Sequence, residues 1–101
     1  MSDIYNHLVR TNFNDMSTEE LKDLRVNSEA AFNSVMAAMS AIGEMALRSM
    51  GNNNYSGEQA KGDVCRLSEA LMHLPRIAEA LNDTEQSARF ELHHREGFPK
   101  W

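Results

Sequence analysis

Few side chains in this 101-residue chain could hold a metal or move a proton. Glu91 and His94 stand three residues apart, one helical turn, which is the spacing at which di-iron helical bundles present ligands, and His93 and Glu96 lie beside them. That motif works when several helices repeat it with partner glutamates, and here it occurs once, so a solvated helix end is expected and no metal. His73, ahead of Leu74-Pro75, has no second group at a recognisable motif spacing to tune it. The single cysteine, Cys65, follows Val64 with Arg66 and Glu69 nearby, but a nucleophile needs a base that the local sequence does not supply. There is no phosphate-binding glycine loop, no dinucleotide glycine pattern, no zinc pair and no Gly-x-Ser-x-Gly elbow. The expectation is a protein with no catalytic residues and no cofactor, not an enzyme.

What remains is binding, and composition narrows it. Ten Lys+Arg face fifteen Asp+Glu, a net charge of −5, with 42% hydrophobic residues and only 7% aromatics. That suits one soluble domain. The ten bases are scattered among acids and no helix carries a basic face, so direct nucleic-acid binding is not expected. The stretch Arg89, His93, His94, Arg95 and Lys100 is the most positive, and complements the carbonyl end of the last helix. No basic, apolar leader opens the chain, one cysteine cannot close an internal disulfide, and no apolar run approaches the roughly 18 residues of a membrane span; these point to the cytoplasm and away from membranes. Abundant Ala, Leu, Glu and Met with few β-branched residues make the fold all-α.

The elements follow from their punctuation. Residues 1–15 form a short N-terminal segment, with a helix over 2–12 capped by Ser2 and carrying Ile4, Leu8 and Val9 on one side, before the break at Asn12-Phe13-Asn14-Asp15. Ser17-Thr18-Glu19-Glu20 is a capping box with Met16 and Leu21 at the two staple positions, and it opens a helix over 16–50. Gly51-Asn52-Asn53-Asn54 stops that helix and starts a turn over 51–56. Ser56-Gly57-Glu58-Gln59 repeats the capping logic for a second helix over 57–96, whose hairpin seam is assigned to Val64, Leu67, Leu71, Leu74 and Leu81. Pro75 predicts a kink or break near His73-Leu74, and Asn82-Asp83-Thr84 a further interruption, with Asp83 and Gln86 as a second cap. Gly97-Phe98-Pro99 ends the helix and leaves a tail over 97–101. The plan is a long antiparallel helical hairpin with short terminal helices.

Residues 30–43 are 14 consecutive positions without a charge. At 3.6 residues per turn Phe32, Val35, Met39, Ile42 and Ala46 form one stripe, while Met36, Ala37, Ala41, Met45 and Leu47 lie on other sides. One hairpin partner covers one stripe, so the remainder needs cover from outside. A helix of about 33 residues, roughly 50 Å long, also overruns a compact globule of this size. Phe32, Val35, Met36, Met39, Ile42, Met45 and Leu47 are therefore the expected interface of a homo-oligomer, a dimer or higher, that closes a helical bundle. Gly43 and its small neighbours would let another backbone approach. Phe13, Phe90, Phe98 and Trp101, large side chains near segment ends, are the expected anchors for a different protein, with acids such as Asp15, Glu19, Glu20 and Glu91 steering basic surfaces toward them.

The capped Met16-Ser17-Thr18-Glu19-Glu20 start, the Ala/Met-rich helix and the stretch Leu71-Met72-His73-Leu74-Pro75-Arg76-Ile77-Ala78-Glu79-Ala80-Leu81 resemble, in size and texture, the small acidic helical regulatory proteins of phages and prophages, antirepressors among them. The resemblance spans residues 16–96 and carries over no binding residue. It implies a transcription-regulating protein that binds and disables a repressor. The alternatives are an inhibitor of a host defence or replication protein, and a structural or chaperone-like assembly protein whose Met-rich face holds a client.

Overall fold

A computed structural model of the chain describes residues 3–52, 54 and 56–97. They form three helices, α1 (Ile4–Leu8), α2 (Thr18–Ser49) and α3 (Gly57–Glu96), and no strand among the described residues. α2 packs antiparallel on α3, and α1 packs on the other flank of α3. The ion pairs Lys22–Glu96 (3.4 Å) and Arg25–Glu85 (3.4 Å) fix the register near the chain termini.

Both long helices begin where local chemistry dictates. Ser17 Oγ accepts from the Glu20 amide while the Glu20 carboxylate accepts from the Ser17 amide, and Ser56 with Gln59 does the same for α3. Each box satisfies two of the donors that a helix start leaves without an intrahelical partner. Met16 packs against the core cluster that contains Leu21, as a hydrophobic staple does. α3 ends at Gly97, whose φ of 101° lies in the left-handed region that glycine reaches without a Cβ clash, and whose N–H donates to His93 O at 2.7 Å.

Several expectations need correction. The N-terminal helix is one short turn, Ile4–Leu8, capped by Asp3 rather than Ser2, and Ser2 lies outside the described residues. α3 is not broken: it runs from Gly57 to Glu96 through Pro75 and through Asn82-Asp83-Thr84. Pro75 removes one donor, but its neighbours are held by tertiary contacts: Arg76 pairs with Asp3 and covers the Tyr5 ring, and Ala78 is buried. Polar side chains interrupt a helix when they turn back onto their own backbone. Here the Asp83 carboxylate accepts from Tyr5 Oη at 2.6 Å and Thr84 Oγ1 accepts from the Arg10 amide at 2.9 Å, so both serve the N-terminal segment instead.

Those two bonds belong to a longer arrangement. Residues 3–16 run as an arm along α3, from Asp3 on Arg76 (2.9 Å), past Asp83 and Thr84, to Arg95, whose guanidinium donates to Phe13 O and Met16 O at 2.9 Å each. Phe13 is driven into the core beside Leu21, Ala88 and Leu92, with Met16 and Leu24 packed around them. The end of the hairpin near the chain termini is therefore three layers thick: α2, α3 and the arm. The end near the turn has two. The radius of gyration, 18.6 Å, is well above the roughly 13 Å of a compact domain this long, and the long axis reaches 59 Å.

Candidate interaction surface

The two ends differ in what they bury. Among the described residues, those of the core lie in the arm, in the first third of α2 or beyond residue 77 of α3: Phe13, Leu21, Ala78, Ala80, Ala88 and Leu92, with the buried polar residues Ser28, Thr84 and Glu85 among them. Glu85 is tolerated there because two guanidiniums, Arg25 and Arg89, pair with it. Toward the turn no side chain is fully buried among the described residues.

Seven residues assigned to an oligomer interface divide into two sets. Phe32, Val35, Met39 and Ile42 are half-buried, the single stripe that a hairpin partner can cover. Met36, Met45 and Leu47 are exposed, at 44%, 67% and 72%. α3 shows a matching division. Leu67, Leu74 and Leu81 are half-buried along its seam, whereas Val64 (60% exposed) and Leu71 (54%) are not seam residues. Ala60, Asp63, Leu67, Ala70 and Leu74 carry the seam at steps of three and four, and one residue's difference in phase swings a side chain about 100° round the helix. Met50 and Met72, in the same half of the hairpin, are exposed as well, at 80% and 69%.

Between the helices, next to the turn, lies a groove of about 530 Å3 lined by Ile42, Met45, Ala46, Ser49 and Met50 from α2 and by Ala60, Asp63, Val64, Arg66 and Leu67 from α3. It exists because Ala46, Ser49 and Ala60 are too small to fill the seam. Ser49 Oγ satisfies itself by donating to Ala46 O at 2.7 Å, and Asp63 pairs with Arg66 at the rim, so the groove is apolar inside and charged only at its edge. A Cβ built on Gly43 would meet nothing within 4 Å, so none of the described residues uses the close approach that this glycine permits.

Of the expected protein anchors, Phe13 is corrected outright: at 4% exposure it belongs to the core, because the arm folds back on α3. Phe90 is 63% exposed, beside a second groove of about 430 Å3 shared with Thr11, Phe13, Gln86, Ser87 and Glu91. Phe98 and Trp101 lie outside the described residues.

The residues that suggested chemistry are occupied or apart. Glu91 accepts from Arg95 Nε at 3.1 Å, Glu96 pairs with Lys22, and His94 is exposed. No group of three metal-capable side chains comes together among the described residues. Cys65 is exposed. The four arginines of α3 are matched by carboxylates, Arg66 by Asp63, Arg76 by Asp3 and Glu79, Arg89 by Glu85 and Arg95 by Glu91. The arm contacts were not legible beforehand: they join residues more than 70 positions apart.

The expectation that no apolar run approaches the length of a membrane span needs correction. α2 is long and apolar enough to cross a membrane by length and composition, with an 18-residue window of mean hydropathy 1.3, none of it buried in the protomer. The uncharged run stops at Gly43, but past Glu44 the helix continues Met45-Ala46-Leu47, and one acid is not enough to end a span. The chain matches no protein-family model, no curated protein and no solved structure.

Proposed function

We propose that this chain is a non-enzymatic regulator that assembles with itself and binds another protein. The observation that carries the reading is the uncovered apolar surface of the turn-proximal half, where Met36, Met45, Leu47, Met50, Val64, Leu71 and Met72 all stand open to water. So many exposed apolar side chains concentrated in one half of a chain point to a place where another macromolecule sits. The thick end is the complementary feature: it carries most of the net negative charge, which steers a basic partner, and an exposed Phe90 beside a groove, which can anchor one. A DNA-binding repressor is such a partner, and disabling one, as antirepressors do, needs no chemistry from this protein.

The test adds the purified protein to a candidate repressor already bound to its operator and follows the DNA by anisotropy. Release of the DNA, weakened by Phe90→Ala, is the expected result. If the protein shifts the DNA by itself, or leaves every candidate repressor in place, the repressor reading fails. The exposed Met36, Met45, Met50 and Met72 favour a second reading, a chaperone-like holder of a client, because flexible thioethers repack against varied surfaces. Suppression of client aggregation at stoichiometric amounts would distinguish it.

A further inference from the structure

We infer that the occupant of the turn-proximal surface is the same surface of a second copy, packed antiparallel so that two turn-proximal halves form a four-helix centre and the arm-covered ends point outward. This rests on the self-association in the reading above and assigns it a place and a direction.

Three observations converge on it. The first is area. The protomer exposes 7587 Å2, about 1,800 Å2 more than a compact chain of this mass. Obligate dimers remove about 1,000–2,500 Å2 from each protomer, so a second copy would absorb the excess. The second is location. The arm already supplies a third layer to the far end, and only the half between residues 36 and 72 lacks one; a copy seated there finds the groove by the turn open to its side chains. The third is charge. Two chains of −5 repel unless they meet through neutral surface, and residues 36–72 contain four acids and three bases, leaving −4 for the rest. A parallel arrangement would set the acidic ends side by side. The antiparallel one holds them at opposite ends of the assembly.

The arrangement gives Val64 and Leu71 a role that the hairpin seam does not: they are exposed in the protomer and covered in the dimer. Val64→Glu and Leu71→Glu should therefore weaken dimerisation about a hundredfold or more, by sedimentation, while helix content by circular dichroism stays unchanged. Direction is read by spin-label distances. Cys65 lies at the middle of the α3 half that pairs, so labels on the two native cysteines should fall within about 30 Å of each other. Residue 94 is 29 helical residues further on, about 43 Å, so labels on His94→Cys in a Cys65→Ser background should be about 85 Å apart, with no shorter component.

The wild type is expected to be a dimer with these two distances. A dimer with a short distance at residue 94 would overturn the antiparallel placement and leave self-association standing. Loss of helix in Val64→Glu comparable to that of a core variant would return Val64 to the hairpin seam and overturn the surface. A wild type that stays monomeric across micromolar concentrations, or that remains monomeric and inserts α2 into phosphatidylcholine–phosphatidylglycerol vesicles, would remove the second copy altogether.

Discussion

Replacing Phe13 with alanine tests whether the arm belongs to the fold or to a binding surface. The ring is 4% exposed and packs with Leu21, Ala88 and Leu92. A phenylalanine buries about 150–250 Å2, worth about 4–6 kcal/mol at 25 cal/mol per Å2 before the part alanine retains is removed, and measured Phe→Ala losses in cores run about 3–5 kcal/mol. The neighbours cannot close the gap easily, because Arg95 holds the Phe13 and Met16 carbonyls on either side at 2.9 Å. A loss of about 3 kcal/mol in a chain of this length lowers Tm by roughly 12–24 °C. Thermal melts by circular dichroism, at one fixed protein concentration because assembly adds to stability, would measure it. Phe13→Leu, which keeps most of the apolar volume, should recover at least half the loss. A Tm shift for Phe13→Ala below about 4 °C, the equivalent of under 1 kcal/mol, would refute the core assignment and return Phe13 to the surface.

Further outcomes follow from single interactions. Ser17→Ala removes the hydroxyl half of the α2 capping box and should cost about 1 kcal/mol in chemical denaturation; no change would mean that α2 starts elsewhere. Pro75→Ala restores a donor inside an unbroken helix and should raise stability by up to about 3 kcal/mol, and a loss would show that the pyrrolidine packing outweighs the missing bond. The arm should loosen at both pH extremes. The Asp3 carboxyl is held below the usual carboxylate range by the hydrogen bond from Arg76, against an opposing effect of desolvation, so its contribution is complete above the ordinary carboxylate pKa and lost as pH falls through the lower folded value. The Tyr5 phenol is pushed above its ordinary value chiefly by its hydrogen bond to Asp83, so its contribution is complete below about pH 10 and lost as pH rises through the higher folded value. NMR signals of the Tyr5 ring, 4.4 Å from the Arg76 guanidinium carbon, should hold constant from about pH 5 to 9 and shift outside it; a transition within that window would contradict the latch.

Features that depend only on neighbours within a helical turn can be read from the residues alone. The boxes at Ser17 and Ser56, the staple of Met16 and Leu21, the stop at Gly97 and the all-α class are legible because each is settled by residues three or four apart, whose geometry a helix imposes. The apolar run over 30–43 likewise announced more hydrophobic surface than one partner helix can cover. Packing between distant segments selects among local options of similar free energy. Steps of three and four from Ala60 allow Val64 and Leu71, or Asp63 and Ala70, to face α2; the partner's position selects the second pair and turns the two large side chains outward. Pro75 and Asn82-Asp83-Thr84 carry the local marks of a break, and α3 passes through both because Arg76, Asp83 and Thr84 are bound from outside by Asp3, Tyr5 and Arg10. Phe13 had the look of a surface anchor because it stands in a polar turn, and it became core because the arm folds back across α3. Contacts that join residues more than 70 positions apart leave no periodic trace in the chain, since no local spacing encodes them, and they form only once the helices they bridge have been brought together.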